Sequence, residues 1–200
     1  LALMVVDRVT FTWIMWEYEF MIREGILARR LLRPLHPFWV DLMDNLAYKA
    51  FIMVVLIPTV IMLTLFFRPN FQTTIVDVLA FLPALVLAFI LRFCLEWGLA
   101  MSAFWTTRTG AINQVYFVVF LFFSGRLAPL ELLPGYAQTL ANALPFRWML
   151  SFPLEVLLGR LSAQEIAVGY AVQIGWTGVA VAALLLAWRS GVKQFSAVGS

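Results

Sequence analysis

Long runs of uncharged, apolar residues constrain the fold of this chain more than any other feature. The cleanest run extends from Ile166 to Trp188, twenty-three residues, and another covers Ala50 to Phe67, eighteen residues bracketed by Lys49 and Arg68. At about 1.5 Å per residue, eighteen helical residues extend roughly 27 Å, which is sufficient to cross the hydrocarbon core of a bilayer. Because an α-helix satisfies its own backbone polar groups inside lipid, both runs predict membrane-spanning helices.

Two further apolar stretches complete the predicted set of spans. The four complete spans are placed at residues 47–67, 78–104, 111–123 and 166–188. Residues 1–20 are apolar and aromatic, and we interpret them as the end of a fifth span whose beginning is missing. Of all residues, 63% are hydrophobic and 12% are charged. The predicted fold class is therefore an all-α integral membrane protein, a helical bundle forming a single transmembrane domain over residues 1–200.

The span at residues 78–104 contains two charged residues, Arg92 and Glu96. Their spacing of four places both side chains on one helical face, where they can neutralise each other at low cost. Two interpretations remain open. The pair could face a substrate or gate, or it could be a structural polar contact between helices.

The longest polar interruption covers Met21 to Lys49 and holds five of the fourteen basic residues. Such a segment lies in water or at the membrane interface, and its Lys and Arg content favours the cytoplasmic side. Leu27, Leu31 and Leu35 recur at every fourth position, which predicts a short amphipathic helix that ends at Arg33-Pro34. Residues 21–46 are thus predicted to form a cytoplasmic loop.

Residues 124–165 are apolar but repeatedly broken by proline and glycine. The breaks fall at Gly125, Pro129, Pro134, Gly135, Pro145, Pro153 and Gly159. Each apolar piece is too short to cross a bilayer, which is typical of a re-entrant or interfacial element. Ser162 followed by Glu165 predicts a capping box at the start of the last span.

The distribution of basic residues favours one orientation, with the inverse left open. With the 21–46 loop inside, eight basic residues lie on the cytoplasmic side and four outside, and the tail at 189–200 is cytoplasmic. The inside set is Arg23, Arg29, Arg30, Arg33, Lys49, Arg108, Arg189 and Lys193, and the outside set is Arg68, Arg126, Arg147 and Arg160.

The sequence offers no catalytic, metal or nucleotide-binding motif. The single histidine, His36, lies in the polar loop with no nucleophile nearby in sequence, and the single Cys94 lies in an apolar run. Neither an HExxH motif nor a phosphate-binding GxxxxGK[ST] motif occurs. A net charge of +3 without a basic surface interleaved with aromatics argues against a nucleic-acid partner. We therefore expect no enzymatic activity, no metal site and no bound cofactor in this chain.

Several motifs, taken together and in order, resemble the permease subunits of bacterial ABC-type exporters, in the six-span branch of the type-2 export class. They are Glu24 to Leu27 followed by Leu31 to Pro37, Phe123 to Gly125, Pro129 to Pro134, Leu144 to Phe146, Phe152-Pro153, Leu158 to Ser162, and Ser196 to Gly199. The resemblance covers essentially the whole chain but lacks the family's first span and most of its second.

The resemblance implies a six-helix subunit in the bacterial inner membrane that pairs with a second permease, identical or related, and with a cytoplasmic ATP-binding subunit. ATP and magnesium would be bound by that subunit. The 21–46 loop would carry a coupling helix, and residues 124–165 an external, broken re-entrant element. The coupling residues carried over are Arg23, Glu24, Gly25, Leu27, Leu31, Leu32, Arg33 and Pro34. The external residues carried over are Pro129, Glu131, Pro134, Pro145, Pro153 and Gly159.

The amphipathic helix has the composition that docking needs, with an apolar ridge of Leu27, Leu31 and Leu35 and arginines at its rim. We hypothesise that Leu31→Asp or Arg33→Glu uncouples transport without unfolding the spans. The competing interpretation is a stand-alone channel or membrane assembly protein that has no ATPase partner. The transported substrate is not indicated by any motif.

Overall fold

A computed structural model describes residues 1–68, 73–106 and 109–194, and in these ranges the regular structure is helical. The α-helices are α1 (Ala2–Thr10), α2 (Ile14–Arg23), α3 (Ile26–Leu31), α4 (Pro37–Phe67), α5 (Ile75–Ala100), α6 (Thr109–Phe123), α7 (Gly135–Ala143), α8 (Phe146–Met149), α9 (Ser151–Leu157) and α10 (Ala163–Gln194). Short 3₁₀ helices follow α5 at Met101–Phe104 and precede α7 at Leu130–Leu132.

Helix α5 is the centre of the bundle. It packs along α10 and against α9, α2 and α1, and its buried face carries large side chains such as Phe93 and Trp97. Helices α5 and α10 lie in direct contact: a Cβ on Gly98 would meet the backbone of Leu184 at 3.5 Å, an ordinary van der Waals distance. The core is therefore built around one long apolar helix that neighbours contact on several sides.

Three helical segments among the described residues are long and apolar enough to cross a membrane: Pro37–Phe67, Ile75–Phe104 and Ala163–Gln194. Each includes a span predicted from the sequence. The remaining predicted span, at residues 111–123, corresponds to α6, whose fifteen residues fall below the usual spanning length. The expected count of four complete spans therefore stays a prediction.

Helix α4 stands apart from the other long helices. It begins at Pro37, ten residues before the predicted span, and most of its apolar surface is exposed, as at Phe51, Leu65 and Phe66. Its buried positions include Asp41, Asn45 and Lys49, which are spaced by four. A residue every fourth position stays on one face of a helix, so α4 contacts the bundle through a polar stripe.

A sharp bend separates α2 from the next helix. Gly25 has a φ of 64°, a left-handed conformation that a residue with a Cβ adopts at a cost, and α3 begins directly after it. Helix α3 ends at Leu31, so Leu35 lies outside the helix and not on a continuous ridge with Leu27. The predicted short helix exists but is shorter than expected.

The region between α6 and α10 is broken into short helices, as its prolines and glycines predict. Pro129, Pro134 and Pro145 directly precede the pieces, and Gly159 has a φ of 63°. The predicted capping box is confirmed, because Ser162 and Glu165 exchange side-chain to backbone hydrogen bonds of 2.8 and 3.3 Å. Whether the region lies outside the membrane stays a prediction.

Some sequence predictions fall on residues outside the described ranges. They are the placement of Arg108 in a basic loop, the motif at Ser196 to Gly199 and the second half of the tail at 189–200.

Candidate coupling segment and buried polar clusters

The coupling residues carried over from the resemblance divide into an exposed and a buried set. Arg23, Glu24, Leu32, Arg33 and Pro34 are exposed, and Leu32 is 87% exposed. Gly25 forms the bend described above.

The leucines of the expected apolar ridge differ in their exposure. Leu27 is fully buried and Leu31 is partly buried against the core, whereas Leu35 is exposed. The reason is that α3 lies against the bundle and turns its leucines inward. The surface open to a partner is therefore formed by residues 32–35, which we call the coupling surface.

A buried carboxylate ties this segment to the membrane helices. Asp41 of α4 accepts hydrogen bonds from the Arg30 guanidinium at 2.6 Å, from the Tyr18 hydroxyl at 2.7 Å and from the Trp97 indole N–H at 3.0 Å. These donors lie on α3, α2 and α5. Charge-assisted hydrogen bonds with several donors are short and directional. Asp41 thus joins four helices at one point, beside the coupling surface.

The polar stripe of α4 continues from Asp41 into the bundle. Lys49 is buried, donates a 2.6 Å hydrogen bond to the backbone carbonyl of Phe11, and its ammonium lies 4.7 Å from the centre of the Phe89 ring. Between the two charges lies Asn45, which is 1% exposed and whose amide atoms have no hydrogen-bond partner among the described residues. A buried amide with two unpaired atoms is a place where an internal water is expected.

The second buried cluster is centred on Arg92 and Glu96 of α5. Their predicted pairing is confirmed by a 2.8 Å contact between Arg92 Nε and Glu96 Oε1, and both side chains are buried. The Arg92 guanidinium also reaches Asp7 at 3.3 Å and Thr10 at 3.1 Å on α1. The pair therefore does not stand alone but connects two helices.

Further groups complete this Arg92–Glu96 cluster. Glu96 accepts hydrogen bonds from Tyr116 of α6 at 3.0 Å and from the Thr12 hydroxyl. Asp7 forms a second ion pair with Arg126 at 3.1 Å, so two acids and two bases share the cluster. Buried charges in balanced, hydrogen-bonded groups avoid the cost of an isolated ion. This environment favours the structural interpretation of the pair.

The broken region contributes a third polar group near the start of α10. Arg147 pairs with Glu155 at 2.8 Å and also bonds Asn142, beside a cavity of about 580 Å³ lined in part by Trp148, Ser162 and Glu165. Partial burial raises the pKa of the Glu155 carboxyl.

The external residues carried over do not converge on one site. Pro129, Glu131, Pro134 and Gly159 are exposed, whereas Pro145 and Pro153 are buried. They shape the broken helices rather than forming a cluster of side chains.

Sequence reasoning missed the residues that organise these clusters, among them Tyr18, Arg30, Asp41, Asn45 and Lys49. A signal for three of them was present, because polar residues at 41, 45 and 49 recur at the helical spacing of four. Within the described ranges, no group of three or more His, Cys, Asp and Glu side chains is placed to hold a metal ion.

Comparison with known proteins gives one result. A family model described as ABC-2 family transporter protein matches residues 2–199. No curated protein and no solved structure matches the chain.

Proposed function

The chain belongs to the ABC-2 transporter family, and from this premise we propose that it is the permease subunit of an ATP-driven exporter. A separate cytoplasmic ATP-binding subunit would bind ATP and magnesium, since this chain carries no phosphate-binding motif. The structural observation that supports the proposal best is the exposed coupling surface held to the membrane helices through Asp41.

The coupling surface has the chemistry of a docking site. Leu32 and Leu35 expose apolar side chains, and Arg33 is exposed with no ion pair to any described residue. An apolar anchor surrounded by charged groups is the usual arrangement of an interface in which a few residues carry the binding energy. We expect Leu32 and Leu35 to enter a groove of the ATP-binding subunit and Arg33 to lie at the rim.

A displacement of the coupling surface would be transmitted to the membrane-spanning helices through existing hydrogen bonds. A displacement of α3 pulls on Arg30, and Arg30 holds Asp41, to which Trp97 of α5 is also bonded. Because α5 is the central helix, its shift changes the packing of α1, α9 and α10 together. Such a rigid connection can convert closure of the ATPase into a change of access in the membrane.

The remaining parts of the proposal follow the resemblance. The subunit would belong to the six-span branch and would pair with a second permease in the bacterial inner membrane. Residues 124–165 would form the external re-entrant element, with membrane lipid around the bundle. The chain itself would have no catalytic activity.

The deciding experiment is a mild-detergent purification of the full-length protein from its host, with detection of any associated ATPase. We expect a stoichiometric ATP-binding subunit with the native protein and its loss with Leu32→Asp. The matched control is Leu140→Asp, because Leu140 is half exposed on α7, far along the chain from the coupling surface. The control should retain the ATPase.

Two outcomes contradict the proposal. A pure preparation without any ATPase would favour the stand-alone channel or assembly protein. Retention of the ATPase by Leu32→Asp, with the same yield as the native protein, would remove the docking role from this surface. Leu31→Asp is a poorer test than it seemed from the sequence, because Leu31 packs against the core and its replacement also disturbs folding.

A further inference from the structure

A groove on the outer surface lies where α4 begins, between α5 and α10. It has a volume of about 270 Å³ and is lined chiefly by apolar side chains, including those of Trp39, Cys94, Val181 and Leu185. Trp39, Val181 and Leu185 are exposed, whereas Cys94 is 4% exposed and lies at the base of the groove. The groove therefore opens on the surface of the bundle.

Aromatic rings lie beside the groove. His36 is one of its lining residues and lies 4.5 Å, ring centre to ring centre, from Trp188 of α10. Trp188 in turn lies 5.2 Å from Trp97. Tryptophan is enriched at the level of the lipid headgroups. We therefore expect this end of the groove to lie near the headgroups and the other end to extend toward the hydrocarbon.

The face of α10 that lines the groove changes character along its length. Val181, Leu185, Arg189 and Lys193 are spaced by four, so they follow one another along a single face. At about 1.5 Å per residue, Arg189 lies roughly 12 Å from Val181 toward the end of the helix. This face of α10 is apolar beside the groove and basic toward the end of the helix.

The charges at that end are uncompensated. No described carboxylate forms an ion pair with Arg189, Lys193 or Arg33, which lies three residues before His36. After Glu165, helix α10 contains no further acidic residue. An apolar groove between spanning helices that ends in basic side chains is the arrangement that binds anionic lipid headgroups.

We infer that this groove is a binding site for an anionic glycerophospholipid of the surrounding membrane. One acyl chain lies along Val181 and Leu185 above Cys94, and the phosphate lies at Arg189, with Lys193 one turn further along the same helix face. The occupied groove joins the start of α4 to α10, so the bound lipid stabilises the position of the helix that follows the coupling surface. This site does not depend on the exporter proposal.

The test uses Cys94 as a reporter, because it is the only cysteine in the 200 residues. The purified full chain is incorporated into nanodiscs of phosphatidylcholine, with or without phosphatidylglycerol of the same acyl chains. Reaction of Cys94 with an apolar maleimide is then followed by mass spectrometry. We expect phosphatidylglycerol to slow the reaction several-fold relative to phosphatidylcholine alone.

Two variants distinguish binding of the lipid headgroup from binding of the acyl chain. Arg189→Gln should abolish the difference in Cys94 reaction rate between the two lipid compositions. Leu185→Trp, which fills the groove, should slow the reaction in both compositions. Arg160→Gln is the matched control, because Arg160 is exposed before α10 begins, at the opposite end of that helix. It should leave the lipid difference unchanged.

Three results would overturn the inference. One is equal protection of Cys94 by both lipids, and another is an equal effect of Arg160→Gln and Arg189→Gln. The third is efficient disulfide formation between two copies of a Leu185→Cys, Cys94→Ala variant in the bilayer, because it would show that a second copy of this chain covers the groove.

Discussion

At the scale of single residues, Asp41 is a buried charge of the coupling segment that needs several hydrogen-bond donors. It is buried and accepts hydrogen bonds from Arg30, Tyr18 and Trp97, which belong to three other helices. Burial of a carboxylate is favourable only when its oxygens are satisfied, and here they are. The hydrogen bonds that link α3 to α5 therefore pass through one side chain.

Replacing Asp41 by Asn keeps the shape of the side chain but removes its charge and one acceptor. We expect a loss of about 1–3 kcal/mol in the free energy of unfolding, because the donors left behind are buried. The measurement is denaturant unfolding in micelles followed by tryptophan fluorescence. Asp44→Asn is the control, since Asp44 is exposed on the same helix and should change stability little. Equal effects of the two variants would contradict the role of Asp41.

His36 provides a pH-dependent contact at the start of α4. Its Nδ1 accepts a hydrogen bond from the backbone N–H of Phe38 at 3.2 Å, which requires the neutral imidazole. Partial burial lowers the pKa of His36 below its ordinary value of 6.5, although Asp41 opposes the shift. The folded state therefore binds the proton less readily than the unfolded state.

The sign of the pH dependence follows from this shift. The contribution of His36 to stability is full above pH 6.5 and decreases as the pH falls from 6.5 to the lower pKa of the folded state. Because His36 is the only histidine in the sequence, its titration can be read directly by NMR. His36→Asn, which retains a capping acceptor, should lose this pH dependence. An imidazole pKa above 6.5 in the folded protein would refute the prediction.

At the scale of helices, the packing of α10 depends on glycines that the sequence does not distinguish from one another. A Cβ on Gly169 would lie 2.0 Å from the ring of Phe152, which is itself buried between Trp148 and Tyr170. A Cβ on Gly175 would meet no atom of the described residues within 4 Å. The same residue type therefore has a packing role at one position and none at the other.

Gly169→Ala should destabilise the bundle by about 1–3 kcal/mol, because overpacking forces Phe152 out of its position. Gly175→Ala, on the same helix, should be neutral or slightly stabilising, since alanine is the better helix former. Thermal unfolding of both variants in one detergent gives the comparison. The prediction fails if Gly175→Ala proves the more damaging of the two.

At the scale of the whole molecule, the Arg92–Glu96 cluster holds α1, α5, α6 and the segment after α6 together. Removing one member of a buried ion pair typically costs about 3–5 kcal/mol, whereas replacing both by apolar residues can be nearly neutral. Substitutions within the cluster are thus expected to have non-additive effects on the free energy of unfolding.

A double-mutant cycle tests this expectation. The variant with both Arg92→Leu and Glu96→Leu should lose less stability than the sum of the two single variants, measured as free energies of unfolding. The comparison pair is Arg92→Leu with Glu155→Gln, because Glu155 belongs to the separate ion pair with Arg147 and its effect should add. Additive losses in the first pair would show that Arg92 and Glu96 act independently.

The sequence by itself determined the features that depend on local spacing. The apolar runs gave the helical membrane class, the prolines and glycines located the breaks after α6, and spacings of three and four located the Ser162–Glu165 cap and the Arg92–Glu96 pair. Each of these follows from a few consecutive residues, because helix period, capping and backbone restriction act over one or two turns.

Only the tertiary structure decided which faces of the helices meet. In a membrane protein both the core and the lipid-facing surface are apolar, so hydrophobic periodicity does not separate the two. Leu27 therefore turned out to be buried while Leu32, five residues later, is exposed. The contacts of Asp41 join residues 18, 30 and 97, and no local pattern specifies partners so distant along the chain.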